Sequence, residues 1–246
     1  FLKGTIAADF TGLKVVVDCG NGAAYQVTPT ILKELGATVI GLYDEPDGLN
    51  INVNCGSTHP QALVAAVVKH GAHVGLAHDG DADRLIAVDE QGNLLDGDHI
   101  LVICGLHLLR QGRLSHKRLA LTVYSNLGVR AAFRAAGGDV VTTPNGDRYV
   151  LEAMRDRGLN LGGEQSGHII FLDHNTTGDG VLTALQLLAV MQAESRPLSV
   201  LANQLEKYPQ NLSNVHVLDK HGWEDNQHIK GAIAAATKLL GDSGRI

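Results

Sequence analysis

The sequence predicts an α/β fold: two similar three-layer α/β domains with mixed sheets, then a short incomplete α+β segment at the C-terminus. Three observations predict it. Short β-branched runs alternate with helix-length segments along most of the chain. Glycine, at 29 residues, exceeds its usual share of roughly 7% and clusters at element ends, where tight turns need it. The order strand, Asn/Gly turn, helix, glycine, strand at residues 14–42 recurs at 119–143.

Each element has a local reason. Lys14–Asp18 is a β-branched run that stops at the turn signal Cys19-Gly20-Asn21-Gly22. A helix is expected over Ala23–Leu35 with Gly36 as its C-terminal stop. Thr38–Leu42 is the second strand, and an Asx-rich loop follows with Asp47, Asn50, Asn52 and Asn54. Pro60 suits the first turn of a helix that ends at Gly71, with Ser57 or Thr58 as its cap. His73–Ala77 and Leu85–Val88 are strands, followed by a turn at 90–93 and a helix over Asp98–Arg110. The second half predicts a strand at Leu119–Val123 and a helix ending at Ala136. A strand at Asp139–Thr143, a helix at Asp147–Arg157 and a strand at Leu159–Leu161 come next. A polar loop at 162–168 leads into a strand at Ile169–Leu172, then helices at Asp179–Glu194 and Leu198–Lys207. The repeat places a domain boundary near Gly112–Arg118. From Tyr208 onward only a strand (Val215–Leu218) and a helix (Gln227–Leu240) are expected, too little to bury a core alone.

Composition excludes several classes. Lys plus Arg is 20 and Asp plus Glu 26, for a net charge of −6. No basic stripe with interleaved aromatics exists, which argues against nucleic acid. No apolar run approaches membrane-spanning length. Cys19, Cys55 and Cys104 are far apart and odd in number. With no CxxC and no secretory apolar region, a reducing cytoplasm is the expected compartment. The twelve histidines show no HxH or HExxH spacing, so no zinc site is expected.

Two stretches carry chemistry. In Asp79-Gly80-Asp81-Ala82-Asp83-Arg84, three carboxylates alternate with small residues between apolar strands. Like charges this close need a cation, and oxygen ligands suit a hard divalent ion such as Mg2+. The bland alternative is a solvated acidic turn. An EF-hand loop is disfavoured, because Arg84 stands where its glycine belongs and the flanks are strands, not helices. Arg84 either orients the carboxylates or grips a phosphate with paired hydrogen bonds. In Gly163-Glu164-Gln165-Ser166-Gly167-His168, a carboxylate, an amide, a hydroxyl and an imidazole match sugar hydroxyls, or else form an ordinary polar turn. His168 is either a general acid or base or a hydrogen-bonded structural residue. Asp147 opens a helix, where capping backbone amides is a sufficient role. Asn21-Gly22 and Asn126 with Gly128 are phosphate cradles or tight turns.

Together these motifs resemble the α-D-phosphohexomutase superfamily, with its bacterial phosphoglucosamine mutase branch the nearest in pattern. The Asp79–Arg84 run resembles the superfamily's magnesium loop, and Gly163–His168 its sugar-binding loop. Asp18–Ala24, Pro46–Asn52, Cys55–Pro60, Gly146–Val150 and Gly178-Asp179-Gly180 resemble the same branch, and Gln165 is typical of it. Tyr124 departs from the methionine usual before Ser-Asn-Leu-Gly. Members have four domains. The resemblance implies the second domain at 1–115, the third at 116–207, and a linker with the start of the fourth at 208–246. No phosphoserine segment of the first domain occurs, nor the phosphate-gripping loop of the fourth, so this stretch alone is expected to be inactive. The implied reaction interconverts glucosamine 6-phosphate and glucosamine 1-phosphate through a bisphosphorylated sugar. Alternatives are a phosphomannomutase or phosphoglucomutase of the same superfamily, or a stand-alone Mg2+ and sugar-phosphate binding module. By resemblance, Asp79, Asp81 and Asp83 hold Mg2+, Arg84 and His168 are catalytic candidates, and Glu164, Gln165, Ser166, His168 and Asp147 contact the hexosamine phosphate. The implied partners are the first and fourth domains, and a homodimer is admitted.

Overall fold

A computed structural model describes residues 1–211, 213, 215–217, 221–241 and 244–246. The chain divides into two compact units, Phe1–Lys207 and Tyr208–Ile246.

The first unit holds two sheets built on one plan. The first comprises β1 (Lys14–Asp18), β2 (Thr38–Leu42), β3 (Val74–Ala77), β4 (Ile86–Asp89) and β5 (Leu94–Leu95), in the order β2-β1-β3-β4-β5. The second comprises β6 (Arg118–Thr122), β7 (Asp139–Thr143), β8 (Leu161–Gly163) and β9 (Ile169–Phe171), in the order β7-β6-β8-β9. In each, the first three strands run parallel and the next returns antiparallel, with Leu76 opposite Ala87 in one and Gly163 opposite Ile169 in the other. The crossovers use α1 (Ala24–Glu34) and α2 (Gln61–His70) in the first sheet, α4 (Leu127–Ala135) and α5 (Asp147–Arg157) in the second. Between and after them lie α3 (Gly97–Arg110), α6 (Gly180–Glu194) and α7 (Leu198–Ala202).

Side-chain alternation along the strands sorts the layers. Val15 and Val17 share one core with Leu32 of α1 and Leu182 of α6, whereas Val16 joins Leu63 and Val67 of α2. In the second sheet Leu119 and Leu121 join that same first core with α3, α4 and α6, and Ala120 joins Val150 and Met154 of α5. Each sheet is therefore covered on both faces, and α6 contributes to one core that is continuous across both. Although α3 follows the first sheet in sequence, it packs on α4, α6, α7 and β8. No described helix is long and apolar enough to cross a membrane.

Several expected boundaries move. The strand expected at 159–161 is β8 at 161–163, because Gly162 and Gly163 pair with Ile170 and Ile169. The polar loop thus shrinks to 164–168. The helix expected to reach Lys207 ends at Ala202, though Leu205 stays buried. β5 was too short to carry a pattern. Pro60 precedes α2 with no side-chain cap, so neither Ser57 nor Thr58 serves as one. In the second unit α8 (Gln227–Leu240) forms as expected, and the Asn226 side chain accepts from the His228 and Ile229 amides. Residues 215–217 form no strand, and Leu218 lies outside the described residues.

Candidate functional site

The shared plan puts the two chemical stretches at equivalent places: Asp79–Arg84 joins β3 to β4, and Glu164–His168 joins β8 to β9. Both are hairpin loops at the carboxyl end of the third strand, where open α/β sheets present ligand-binding crevices. The loops touch directly. Arg84 and His168 form an isolated antiparallel bridge, and the Leu85 amide donates to the Gly167 carbonyl at 3.1 Å.

In the first loop one ligand atom from each of Asp79, Asp81 and Asp83 lies within 4.8 Å of the others. Asp79 is buried and Asp81 exposed. Burial, reinforced by the Asp83 carboxylate, pushes Asp79 above the ordinary carboxylate range. Arg84 Nε sits 3.5 Å from Asp79 Oδ2 and 3.7 Å from Asp83 Oδ1, and the Arg84 amide donates to Asp79 Oδ1 at 3.2 Å. Asp83 Oδ1 and Arg84 Nε are buried without a hydrogen-bond partner. An oxygen-only donor set with an unsatisfied buried carboxylate oxygen fits a hard divalent cation.

The loop is clamped from behind. The Ala23 amide donates to the Gly80 carbonyl and the Gly180 amide to the Ala82 carbonyl, both at 2.8 Å. A Cβ on Gly180 would stand 2.2 Å from the Arg84 carbonyl oxygen, so only glycine fits there. His78 is fully buried, and burial lowers its pKa. Its ring lies 3.1 Å from Thr28 Oγ1 and 3.3 Å from the Arg84 carbonyl. At the end of β1, buried Asp18 accepts from the amides of Gly20 at 2.9 Å and Gly56 at 3.0 Å.

In the second loop Glu164 accepts from the Gly146 amide at 3.1 Å and from the Ser166 hydroxyl at 3.3 Å. That first bond draws the start of α5 to the loop. Asp147 is 61% exposed there, with Oδ2 3.9 Å from His168 Nε2. It makes no capping bond among the described hydrogen bonds, so its local role differs from the one its position implies. His168 is buried. Its Nε2 accepts the Gly178 amide at 3.1 Å, which leaves Nδ1 to carry the proton and donate to Asp83 Oδ2 at 3.0 Å. Arg84, Glu164, Gln165 and Ser166 line one cleft of about 420 Å³ with Thr122, Tyr124 and Asn145. Of the expected site residues, Arg84, Glu164, Gln165 and Ser166 line this cleft, Arg84 adjoins Asp79 and Asp83, and His168 lies between Asp83 and Asp147. Sequence reasoning gave no site role to Asp98, to His78, which directly precedes the carboxylate loop, or to the Gly178 amide that reaches His168.

Residues 4–92 match the family described as phosphoglucomutase/phosphomannomutase, alpha/beta/alpha domain II, and residues 96–208 match its alpha/beta/alpha domain III. The chain belongs to the phosphoglucomutase/phosphomannomutase family. A phosphoglucosamine mutase of Carboxydothermus hydrogenoformans is 58% identical over the whole chain, which spans 55% of that protein. One from Heliobacterium modesticaldum is 57% identical over the whole chain and 53% of its own length. The chain thus spans about half the length of these relatives. Among solved structures, a phosphoglucomutase/phosphomannomutase family protein of Burkholderia thailandensis superposes with TM-score 0.74 at 27% identity, over 83% of this chain and 45% of that one. The N-acetylphosphoglucosamine mutase of Aspergillus fumigatus, solved with GlcNAc-6P and magnesium, shares the fold at TM-score 0.69 and 19% identity, over 89% of this chain and 50% of that one.

Proposed function

We propose that this chain supplies the metal-binding and sugar-binding loops of a phosphoglucosamine mutase, which interconverts glucosamine 6-phosphate and glucosamine 1-phosphate through a bisphosphorylated sugar. The observation that carries it is the direct joining of the two hairpin loops, Asp83 to His168 and Leu85 to Gly167. The named relatives support the glucosamine branch.

Asp79, Asp81 and Asp83 would hold Mg2+, which neutralises charge on the transferring phosphoryl group. Arg84, held beside two of these carboxylates, presents a fixed cation to the cleft. Glu164 and Ser166 bind sugar hydroxyls, with Gln165 beside them and Asp147 at the rim. Both ring nitrogens of His168 are engaged within the protein. In place of the proton-carrying role its position admits, His168 orients Asp83, and so acts as a positioning residue. The division of labour is residues 1–115 for metal and 116–207 for sugar, with 208–246 leading to a further domain. The phosphoserine and the phosphate-gripping loop come from domains outside this chain. The chain alone is then inactive and holds Mg2+ weakly, since Mg2+ ordinarily draws on substrate phosphates as well as carboxylates.

Phosphorus-31 NMR of the full-length enzyme, supplied in turn with glucosamine, glucose and mannose 6-phosphates, tests the reading. The expected result is the highest kcat/KM for the glucosamine ester. A clear preference for mannose or glucose phosphate would replace it with the sibling activity.

A further inference from the structure

Asp98 lies in the first turn of α3 and is wholly buried. Its Oδ2 accepts two bonds from the second sheet's loops: the Asn126 amide at 2.8 Å and the Gln165 side-chain Nε2 at 3.3 Å. The neighbouring Gly97 amide donates to the Gln165 carbonyl at 3.0 Å. A Cβ on Gly97 would stand 2.1 Å from the Glu164 carbonyl oxygen, so α3 meets the loop backbone to backbone. The start of α3 thus holds Gln165 at both its main chain and its side chain.

The polarity of that second contact matters. An ionised carboxylate only accepts, so it fixes the amide with nitrogen inward and oxygen outward. Burial pushes Asp98 up to about 6, against the opposing pull of the Asn126 amide, which leaves it ionised at neutral pH. Gln165 Oε1 has no donor among the described hydrogen bonds, and Gln165 lines the cleft beside Glu164.

We propose that Asp98 is a specificity-determining positioning residue: it turns the Oε1 acceptor of Gln165 toward the cleft, which favours a protonated amino group over a hydroxyl on the bound sugar. The inference rests on the sugar-phosphate reading above. An ammonium group donates only, so an acceptor held beside the Glu164 carboxylate suits it, and an inverted amide would oppose it. A hydroxyl both donates and accepts, so it gains less from a fixed acceptor. A bare structural role for Asp98, propping the Asn126 turn, would leave the amine preference untouched.

The test uses full-length enzyme with Asp98→Ala, Gln165→Ala, their double variant and Asp98→Asn. The readout is the ratio of kcat/KM for glucosamine 6-phosphate to that for glucose 6-phosphate. Loss of one hydrogen bond to a charged group predicts a fall of about tenfold for each alanine variant. The double variant falls no further, and Asp98→Asn, whose oxygen still accepts both bonds, recovers most of the ratio. Unchanged ratios, or losses that multiply in the double variant, overturn the proposal. Hydrogen exchange of the Gln165 side-chain amide, followed by NMR, reads the link without turnover. Slow exchange that becomes fast in Asp98→Ala supports it, and exchange as fast as a solvated amide in the unsubstituted protein overturns it. Should Asp98→Ala fail to fold, Gln165→Ala and the exchange of the unsubstituted protein still decide. Absence of turnover on either sugar would sink the functional reading and the selectivity with it, while the exchange separately decides the Asp98–Gln165 link.

Discussion

His168 donates from Nδ1 to Asp83 Oδ2 across 3.0 Å, joining a residue of the second sheet's loop to a carboxylate of the first. The pair is separated by 85 residues. One oxygen of Asp83 is thereby fixed, and the other is buried without a hydrogen-bond partner, 3.7 Å from Arg84 Nε.

If His168 acts by orienting Asp83, its replacement should weaken the metal site and not merely the turnover. His168→Ala is expected to lower Mg2+ affinity by about 10- to 100-fold, the usual cost of losing an outer-shell partner of a metal ligand. His168→Asn keeps an N–H near the Nδ1 position and should recover part of it. Titration calorimetry of both variants checks this, and an unchanged affinity in the alanine variant would remove the positioning role.

Two glycines are expected to be intolerant of a single methyl group. Ala at 97 would place its Cβ 2.1 Å from the Glu164 carbonyl oxygen, and Ala at 180 would place it 2.2 Å from that of Arg84. Each neighbour is backbone, so the loop itself must move. Overpacking of this kind costs about 1–3 kcal/mol. Urea denaturation should show that loss for both, whereas Gly4→Ala, with nothing within 4 Å of the added atom, should lie near the parent.

How far the site was legible follows from where its partners lie in sequence. The carboxylate loop was readable because its charges stand between two short apolar runs, which become β3 and β4. The doubled sheet plan was readable because each strand-to-helix turn carries Asn and Gly. Asp98 was not. In sequence it is an acidic residue at a helix start, ordinary by its favourable place on the helix dipole. Its partners stand 28 and 67 residues away, and only the packing of α3 on the second sheet brings them together. The end of the helix after Leu198 was misplaced for a similar reason: burial of Leu205 continues an apolar pattern beyond the last helical residue.

Asp98 also predicts a pH dependence of stability. Its pKa in the folded chain is raised from 3.8 to about 6, which corresponds to roughly 3 kcal/mol. A raised carboxyl favours the fold when protonated. Its contribution is fully present below 3.8, and is lost as pH rises through about 6. Asp98→Asn should therefore flatten the decline in unfolding free energy across that window and be the more stable protein at neutral pH. Parallel denaturation curves of the two proteins over the window would contradict the assignment.

If the carboxylate loop and the sugar loop form one Mg2+-dependent sugar-phosphate site, turnover depends on both the ion and the residues that hold it. The most direct measurement is the interconversion of glucosamine 6-phosphate and glucosamine 1-phosphate by the full-length enzyme, with and without Mg2+, for the unsubstituted protein and Asp81→Asn. Asp81 is exposed, so its replacement leaves packing intact. Turnover is expected to require Mg2+ and to fall by about a hundredfold or more in the variant, the scale seen when one preorganised charge-stabilising group is lost. Turnover that persists without any divalent cation, or is undiminished in Asp81→Asn, would contradict the shared site.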